Sequence, residues 1–254
     1  SVNNGWSNIL LRYIVLGLGS SLALGGAPSE WTILETSPEV WWKFNTGQTT
    51  PDIDADGDTD ILWADQSGND RDGTGGFTTS IIDAKQGSFS GGAWQSDDDN
   101  SFLRIGDGTL SLTDDYTIFM VFTNANNQDT IIGGTDAKDF YRFGVGSAGA
   151  GRIRHANNQN NLTFDEDPST GKVMFKILRN ASDELIITQN STTGVLDAVS
   201  ISSAAFACAR GPAGAAGIAD GFVYELIIYN RAVTDAESAL IEADVLYRNS
   251  LTAD

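Results

Sequence analysis

The feature that most constrains this chain is a recurring pattern of short runs rich in aromatic and β-branched residues, separated by clusters of Gly, Asn and Asp. Such runs are typical of strands joined by turns. The sequence does not alternate between strand and helix patterns, which argues against a parallel α/β sheet. The sequence therefore predicts an all-β sandwich, whose clearest strands are residues 39–44, 102–105, 116–123, 140–145, 172–178, 184–188 and 222–229.

Two of these strands carry the strongest patterns. Residues 116–122 are apolar on both faces, which is typical of a sandwich strand packed from two sides. In residues 222–229, strict alternation would place four apolar side chains on one face, namely those of Phe222, Tyr224, Leu226 and Ile228. The other face carries Glu225, for which we expect a hydrogen-bonding partner and a structural role.

A single helix is predicted near the end of the chain. Thr234 and Glu237 have the spacing of a capping box, in which each side chain bonds the other residue's backbone N–H. An apolar stripe follows at helical spacing, and it predicts the face that packs on the sandwich: Ala236, Leu240, Ala243 and Tyr247.

Two segments resemble the laminin-G-like, concanavalin A-like domains. Residues 65–74 (DQSGNDRDGT) are similar to an early segment of those domains, and residues 40–44 (VWWKF) resemble their first aromatic strand. Residues 221–237 are similar to their closing strand and helix. The resemblance implies an antiparallel jelly-roll sandwich over roughly residues 39–248. Most domains of this kind bind glycans or proteins, and some bind calcium.

Charge divides the chain into two parts. The net charge of −19, from 15 Lys and Arg against 34 Asp and Glu, excludes a nucleic-acid partner because phosphate binding needs clustered cations. Residues 1–34 hold only Arg12 and Glu30 and are therefore neutral. We interpret residues 1–37 as an apolar N-terminal docking arm and residues 38–254 as an acidic sandwich domain.

The apolar arm fits neither a secretory signal nor a membrane span well. No Lys or Arg precedes Arg12, and the apolar stretch is shorter than the roughly 20 residues that a span requires. Two interpretations remain open. In one, residues 1–34 dock on other structural proteins of a particle, so the chain is oligomeric or assembled. In the other, the segment is an edge strand of its own domain.

An acidic loop predicts a calcium site. Its pattern D-x-D-x-D-G-x-x-D places carboxylates at alternate positions of a tight loop, and calcium prefers such hard oxygen ligands. The candidate ligands are Asp52, Asp54, Asp56, Asp58 and Asp60. The loop is similar to EF-hand-like loops but has Trp63 at the twelfth position, so Asp65 or another segment would have to complete the site. The alternative is a solvated acidic turn.

The sequence offers little for catalysis. It contains one His and one Cys, which exclude a His-rich zinc site and an internal disulfide. Asp165-Glu166-Asp167 lies before a proline and a turn, not in the paired-carboxylate strand that a glucan hydrolase of this fold needs. Glycan binding would need aromatic and amide groups. Trp94, Tyr141, His155 and a 157–161 loop could contribute, although each fits turn or core material equally well.

Two hypotheses therefore remain, with a third more distant. The first is a non-enzymatic virion structural protein, a capsid decoration or tail-associated protein of a bacteriophage, whose lectin-like domain binds host-surface glycans. The second is a free, secreted carbohydrate-binding protein. A glucan hydrolase is the distant alternative. The first two predict a virion or extracellular location, without a membrane span.

Overall fold

The computed structural model describes residues 33–51, 53, 59–75, 87–96, 103–105, 110–112, 115–123, 129–133, 140–145, 151–155, 158–164, 171–180, 182, 184–189, 192–196, 204–206 and 221–251. The chain divides into two compact units, Ser1–Trp31 and Thr32–Asp254, and all described residues lie in the second. The predicted arm up to residue 32 lies outside the described residues, so its docking role and its boundary at residue 37 stay predictions.

The second unit is built almost entirely from β-strands. They are β1 (Val40–Trp42), β2 (Gln48–Thr49), β3 (Leu62–Trp63), β4 (Gly73–Gly75), β5 (Ser88–Ser90), β6 (Ala93–Gln95), β7 (Leu103–Ile105), β8 (Leu110–Leu112), β9 (Tyr116–Phe122), β10 (Asp129–Gly133), β11 (Phe140–Val145), β12 (Gly151–His155), β13 (Asn158–Phe164), β14 (Val173–Arg179), β15 (Leu185–Gln189), β16 (Thr192–Leu196), β17 (Ala204–Phe206) and β18 (Phe222–Tyr229). A 3₁₀ helix, Ile33–Thr36, precedes them, and helix α1, Asp235–Arg248, follows them.

The strands form antiparallel sheets. The largest has the order β16–β15–β14–β9–β18–β6–β5, with β1 also paired to β18. Smaller sheets have the orders β10–β11–β12–β13, β17–β8 and β2–β3–β4–β7. The predicted antiparallel, jelly-roll-like sandwich with a C-terminal helix is confirmed, and each of the seven predicted strands is found.

The centre of the large sheet is covered on both faces. Its core-side residues on β9, β14 and β18, such as Ile118, Phe175 and Leu226, join one buried cluster with Trp63 and Leu103 of a smaller sheet. The remaining β9 residues are also buried, so all seven positions of this strand are inaccessible. This explains why the sequence of β9 is apolar without alternation.

Helix α1 begins at the predicted capping box. Thr234 Oγ1 accepts from Glu237 N at 3.3 Å, and Thr234 N donates to Glu237 Oε2 at 2.8 Å. The predicted packing face is wrong, however. The exposed side of the helix includes Ala236, Ala243 and Tyr247, and the last of these is 66% exposed. The buried residues are instead Ser238, Ile241, Val245 and Leu246.

A polar network explains why this face of α1, and not the predicted one, packs on the sheet. Lys176 Nζ on β14 reaches Glu242 Oε1 at 2.6 Å and Ser238 Oγ at 3.0 Å. Ser238 Oγ also donates to Glu242 Oε1 at 2.6 Å. Because these polar groups satisfy one another, the inward face of α1 is only partly apolar. A prediction from apolar residues alone therefore assigns the opposite face of α1 to the core.

Candidate ligand-binding surface

The D-x-S-G-N segment forms a structural loop on β1. Asp65 Oδ1 accepts from Trp41 N at 2.8 Å and from Ser67 N at 3.0 Å. Its Oδ2 accepts from Ser67 Oγ and from Arg71 N, the latter at 3.1 Å. Asn69 Nδ2 donates to Pro38 O at 2.9 Å. These carboxylate and amide groups therefore hold the loop against the first strand.

Both motif glycines have a local reason. Gly68 has a φ of +88°, a conformation that side chains rarely adopt. At Gly73 an added Cβ would lie 2.9 Å from the indole ring of Trp42. Trp42 Nε1 in turn donates to Arg71 O at 2.8 Å. The segment that carries the family resemblance therefore maintains the fold.

Glu225 is the centre of a second structural network. It is 1% exposed and accepts from Arg248 Nη2 at 2.6 Å, Asn249 Nδ2 at 2.8 Å and Trp41 Nε1 at 2.9 Å. Arg248 also bonds Asp244. The carboxylate thus joins β18, β1 and the end of α1, as expected for a structural role.

The predicted calcium loop is described only in part. Asp52, Asp54, Asp56 and Asp58 lie outside the described residues. Asp60 is buried, and its Oδ2 accepts from Ile53 N at 2.6 Å. Within the described ranges, no group of three or more His, Cys, Asp or Glu residues is placed to hold a metal. Calcium at this loop therefore stays a prediction.

The residues that the sequence suggested for glycan binding do not form one site in the described part of the structure. Trp94 is fully buried in the core and offers no binding face. Tyr141 and His155 are register partners on β11 and β12, and Asn158 is the partner of His155 on β13. The predicted 157–161 loop is wrong for Asn158–Asn161, which belong to β13. Residue 157 lies outside the described residues, as do Cys208 and Asp165-Glu166-Asp167.

A different aromatic cluster is partly open to solvent. Phe44, Phe222 and Tyr224 are each half-buried. The Phe222 and Tyr224 rings stack with centroids 5.8 Å apart, and the Phe44 ring lies 6.0 Å from Tyr224. Lys172 Nζ lies 4.1 Å from the Tyr224 centroid and 4.8 Å from that of Phe44. We call these four residues the aromatic surface.

A β-bulge positions two of these rings. The register of β18 against β9 passes from Val223 to Glu225, so Tyr224 is the extra residue. Val223, Leu226 and Ile228 consequently face the core cluster together. The predicted apolar face of Phe222, Tyr224, Leu226 and Ile228 is therefore wrong. Phe222 and Tyr224 lie instead on the opposite face, where they are half-buried.

The polar groups of the surface are partly desolvated. Burial lowers the pKa of the Lys172 ammonium. Burial also raises the pKa of the Tyr224 hydroxyl, and a hydrogen bond with Thr123 opposes that rise. Lys172 Nζ additionally donates to Asn249 O at 3.4 Å, just beyond α1. The surface thus offers ring faces, a hydroxyl and a cationic donor within a few ångströms.

Sequence reasoning missed these residues because the bulge has no clear sequence signature. The available signal was the pair of aromatic residues at Phe222 and Tyr224, two positions apart at the start of a closing strand. Strict alternation assigned both to the core. Lys172 and Phe44 come from distant segments, and only the fold brings them together.

No protein-family model and no curated protein matches the sequence. Solved structures of low identity match its fold. A mutant of HCR D/C VPI 5995 gives a TM-score of 0.53 at 11% identity, over 84% of this chain and 53% of that chain. The binding domain of botulinum neurotoxin DC in complex with rat synaptotagmin II gives 0.50 at 11% identity, over 83% and 52%. An arabinofuranosidase complexed with arabinofuranosyl-alpha-1,2-xylobiose gives 0.50 at 13% identity, over 75% and 52%.

The chain folds as an antiparallel, jelly-roll-like β-sandwich with one C-terminal helix. At these identities the similarity shows the fold alone, and the chain spans about half the length of the structures it matches. Membership of the laminin-G-like domains stays a prediction. In the part of the chain that the structure describes, no helix is long and apolar enough to cross a membrane.

Proposed function

We propose that this sandwich is a non-enzymatic, lectin-like domain that binds glycans at the aromatic surface. The observation that carries the proposal is the group of three half-buried rings, Phe44, Phe222 and Tyr224, beneath the Lys172 ammonium. The flat apolar faces of sugar rings pack on aromatic rings, while hydroxyls need nearby donors and acceptors. Both kinds of group are present here.

Structures of similar fold support this choice. One is an arabinofuranosidase with a bound arabinofuranosyl-xylobiose, and another is a toxin binding domain with synaptotagmin II. Two proteins that share this fold over about half of their length thus hold a sugar ligand and a protein ligand, respectively. The aromatic surface favours the sugar because it consists of four side chains, one of them a cationic donor, whereas protein interfaces of standard size bury about 800 Å² on each partner.

We place the domain in a virion, as a capsid decoration or tail-associated protein of a bacteriophage. The support is the charge division, since residues 1–34 are neutral and apolar while residues 35–254 carry the whole −19. An apolar segment of this kind needs a covering partner, such as other structural proteins of a particle. The host's surface glycans would be the ligands of the outward domain. A free secreted lectin is the alternative.

Calcium at the acidic loop is a further part of the proposal. The candidate ligands are Asp52, Asp54, Asp56, Asp58 and Asp60. Asp60 is already used to close the loop, because its carboxylate binds Ile53 N. A cation here would offset the repulsion of five carboxylates within nine residues and would stabilise the turn before β3.

A glycan array with matched variants tests the binding function. Phe222→Ser removes one ring and Lys172→Gln removes the cation, while Tyr247→Ala removes an aromatic residue that is 66% exposed on α1. We expect the first two variants to lose array signal and the third to keep it. Equal signal for all folded variants would refute the aromatic surface as the binding site.

Deleting residues 1–28 tests the placement in a particle. Docking predicts a soluble, monomeric and equally stable truncated protein, because the sandwich folds without the arm. Collapse of the truncated domain would instead show that the segment completes its own core. Size-exclusion chromatography and thermal melting of both forms distinguish these outcomes.

A further inference from the structure

Five adjacent strands of the large sheet carry one continuous row of core residues. The strands are β14, β9, β18, β6 and β5, in that order. Each member of the row is the register partner of the next. All of them belong to the core cluster or pack against it, namely Val173, Phe122, Val223, Trp94 and Phe89. This row identifies the side of each strand that faces the core.

The neighbouring row, one residue along each strand, lies on the opposite face because side chains alternate across a sheet. Gln95 on β6 is the register partner of Phe222 on one side and of Ser88 on the other. Thr123, directly after β9, donates from its N to Phe222 O at 2.9 Å, and its Oγ1 accepts from Phe222 N at 3.1 Å. Lys172 directly precedes the core residue of β14 and lies beside Thr123. We call these five residues the outer row.

The outer row is open to solvent along its whole length, since each of its five members is half-buried. Across the sheet it presents an ammonium, a hydroxyl, an aromatic ring, an amide and a second hydroxyl. Neighbouring strands lie about 4.8 Å apart, so the row spans about 19 Å. Lys172 and Phe222 also belong to the aromatic surface. The outer row therefore extends the aromatic surface across the sheet to β5, the last strand in the order.

We propose that the outer row is an extended binding site for an unbranched oligosaccharide that lies across the strands. The proposal rests on glycan binding at the aromatic surface and specifies the ligand as the interior of a linear polysaccharide, not a single terminal sugar. One unit of an extended sugar chain advances by about one strand spacing, so the row accommodates about four units. 

The order of chemical groups along the outer row suits such a chain. A sugar ring would stack on Phe222, near the middle of the row. The hydroxyls of its neighbours would bond Lys172 and Thr123 on one side and Gln95 and Ser88 on the other. The row contains no Asp or Glu, so it does not repel a sugar that carries a carboxylate.

A saccharide chain fits this row better than a peptide does. An extended peptide that joins a sheet is held mainly by backbone hydrogen bonds at a free edge. The outer row instead crosses the face of the sheet, where the backbones of β9, β18, β6 and β5 already pair with one another. A ligand on this face meets side chains, and one ring among four polar groups matches the ring faces and hydroxyls of sugars.

The test compares oligosaccharides of increasing length on the full chain. Titration calorimetry would use xylose oligomers of one to six units as a neutral series and galacturonate oligomers of the same lengths as an acidic series. Gln95→Ala removes the amide on the β5 side of Phe222. Gln66→Ala is the matched control, because Gln66 is also half-buried but lies in the Asp65 loop, outside the outer row. Its backbone bond to Trp41 O, at 2.8 Å, is retained in the variant.

We expect the affinity to rise from two to four units in at least one series and to change little from four to six. Gln95→Ala should weaken the tetramer about threefold to tenfold, as for the loss of one hydrogen bond. It should leave the dimer unchanged, because a dimer on the Lys172 side of the row does not reach Gln95. Gln66→Ala should bind every length as the unaltered protein does.

Several results would overturn the extended site. These are equal affinity for all lengths in both series, a rise that continues to six units, and a tetramer that binds Gln95→Ala and the unaltered protein equally well. An equal loss in Gln66→Ala would also overturn it. The dependence on length in the unaltered protein needs no variant, so the test does not depend on the folding of Gln95→Ala.

Phe222→Ser distinguishes a failure of this inference from a failure of the proposed function. If that variant weakens every length while length and Gln95 have no effect, glycans bind at the aromatic surface and the extended site is wrong. If neither series binds the unaltered protein, the extended site is also wrong, and the glycan array decides separately whether the aromatic surface binds another sugar.

Discussion

Glu225 on β18 accepts a hydrogen bond at 2.9 Å from the indole nitrogen of Trp41 on β1, across 184 residues of sequence. The same carboxylate binds Arg248 in the last turn of α1 and Asn249 directly after it. One buried acid thus connects the first strand, the closing strand and the helix. The order of these three elements in the chain is the order implied by the family resemblance.

Removing this acid should destabilise the domain strongly. Glu225→Ala leaves Arg248 as a largely buried charge without its main partner, and such a loss costs about 3–5 kcal/mol. Trp41→Phe removes the indole donor and also part of a buried ring, so it should cost at least about 1 kcal/mol. Urea unfolding followed by tryptophan fluorescence would measure both free energies. A loss below about 1 kcal/mol for Glu225→Ala would contradict the structural role.

The hydrogen bonds of Asp65 can be tested by comparing the unfolding free energies of two Asp→Asn variants. Asp65→Asn leaves one carbonyl acceptor but loses the second oxygen, which accepts from Ser67 Oγ and Arg71 N. We expect a loss of about 2 kcal/mol in the free energy of unfolding. Asp70→Asn makes the same chemical change at an exposed position with a φ of +55°, which asparagine tolerates. Similar unfolding free energies for the two variants would show that the loop does not depend on Asp65.

The contribution of Glu237 to the free energy of unfolding should depend on pH in the acid range. Its hydrogen bond with Arg231, at 2.7 Å, is the main cause that lowers the pKa of this carboxyl to about 2 from 4.5. Because the pKa in the folded state is the lower one, the unfolded state binds more protons between these values. The contribution is therefore complete above pH 4.5 and is lost as the pH falls towards 2.

The comparison of the unaltered protein with Glu237→Gln isolates this effect. The pair is partly exposed, so screening limits the difference in unfolding free energy to about 1 kcal/mol or less. That difference should be constant near neutral pH and should shrink through the acid window. Unfolding midpoints at a series of pH values would measure it. A difference that grows on acidification would be opposite in sign to the account.

Much of the architecture was predictable because burial leaves a direct sequence record. The continuous apolar run of β9 reflects a strand covered on both faces, and the Thr234–Glu237 capping box fixed the start of α1. The strands of two or three residues other than β1 and β7 were not predicted, since so few residues carry no periodicity. The first part of the polar β13 was predicted as a loop because Asn is depleted in strands, and only its pairing with β12 identifies it as a strand.

The candidate site was not predictable, for two physical reasons. A single extra residue at Tyr224 reverses the alternation of β18, and no local signal marks that bulge. Lys172 and Phe44 reach Tyr224 only through tertiary packing. The inward face of α1 was misassigned for a related reason, because buried Ser238 and half-buried Glu242 are satisfied by Lys176 of β14.

Metal removal tests the acidic loop. If Asp52, Asp54, Asp56, Asp58 and Asp60 bind calcium, EDTA should lower the melting temperature and added calcium should restore it. Asp54→Asn with Asp56→Asn should abolish the response to calcium. Asp70→Asn, an exposed acid outside the loop, should keep it. If EDTA leaves the melting temperature unchanged, the prediction that the acidic loop binds calcium is wrong.

The most direct test of glycan binding is a binding measurement on the aromatic surface itself. Sugars that bind the unaltered protein on an array would be titrated into Phe222→Ser and Tyr247→Ala, with melting curves to confirm that both fold. Loss of one stacking ring should cost about 1–2 kcal/mol, which is about tenfold in affinity. We expect that weakening for Phe222→Ser alone. Unchanged affinity in a folded Phe222→Ser protein, or no binding of any glycan by the unaltered chain, would contradict it.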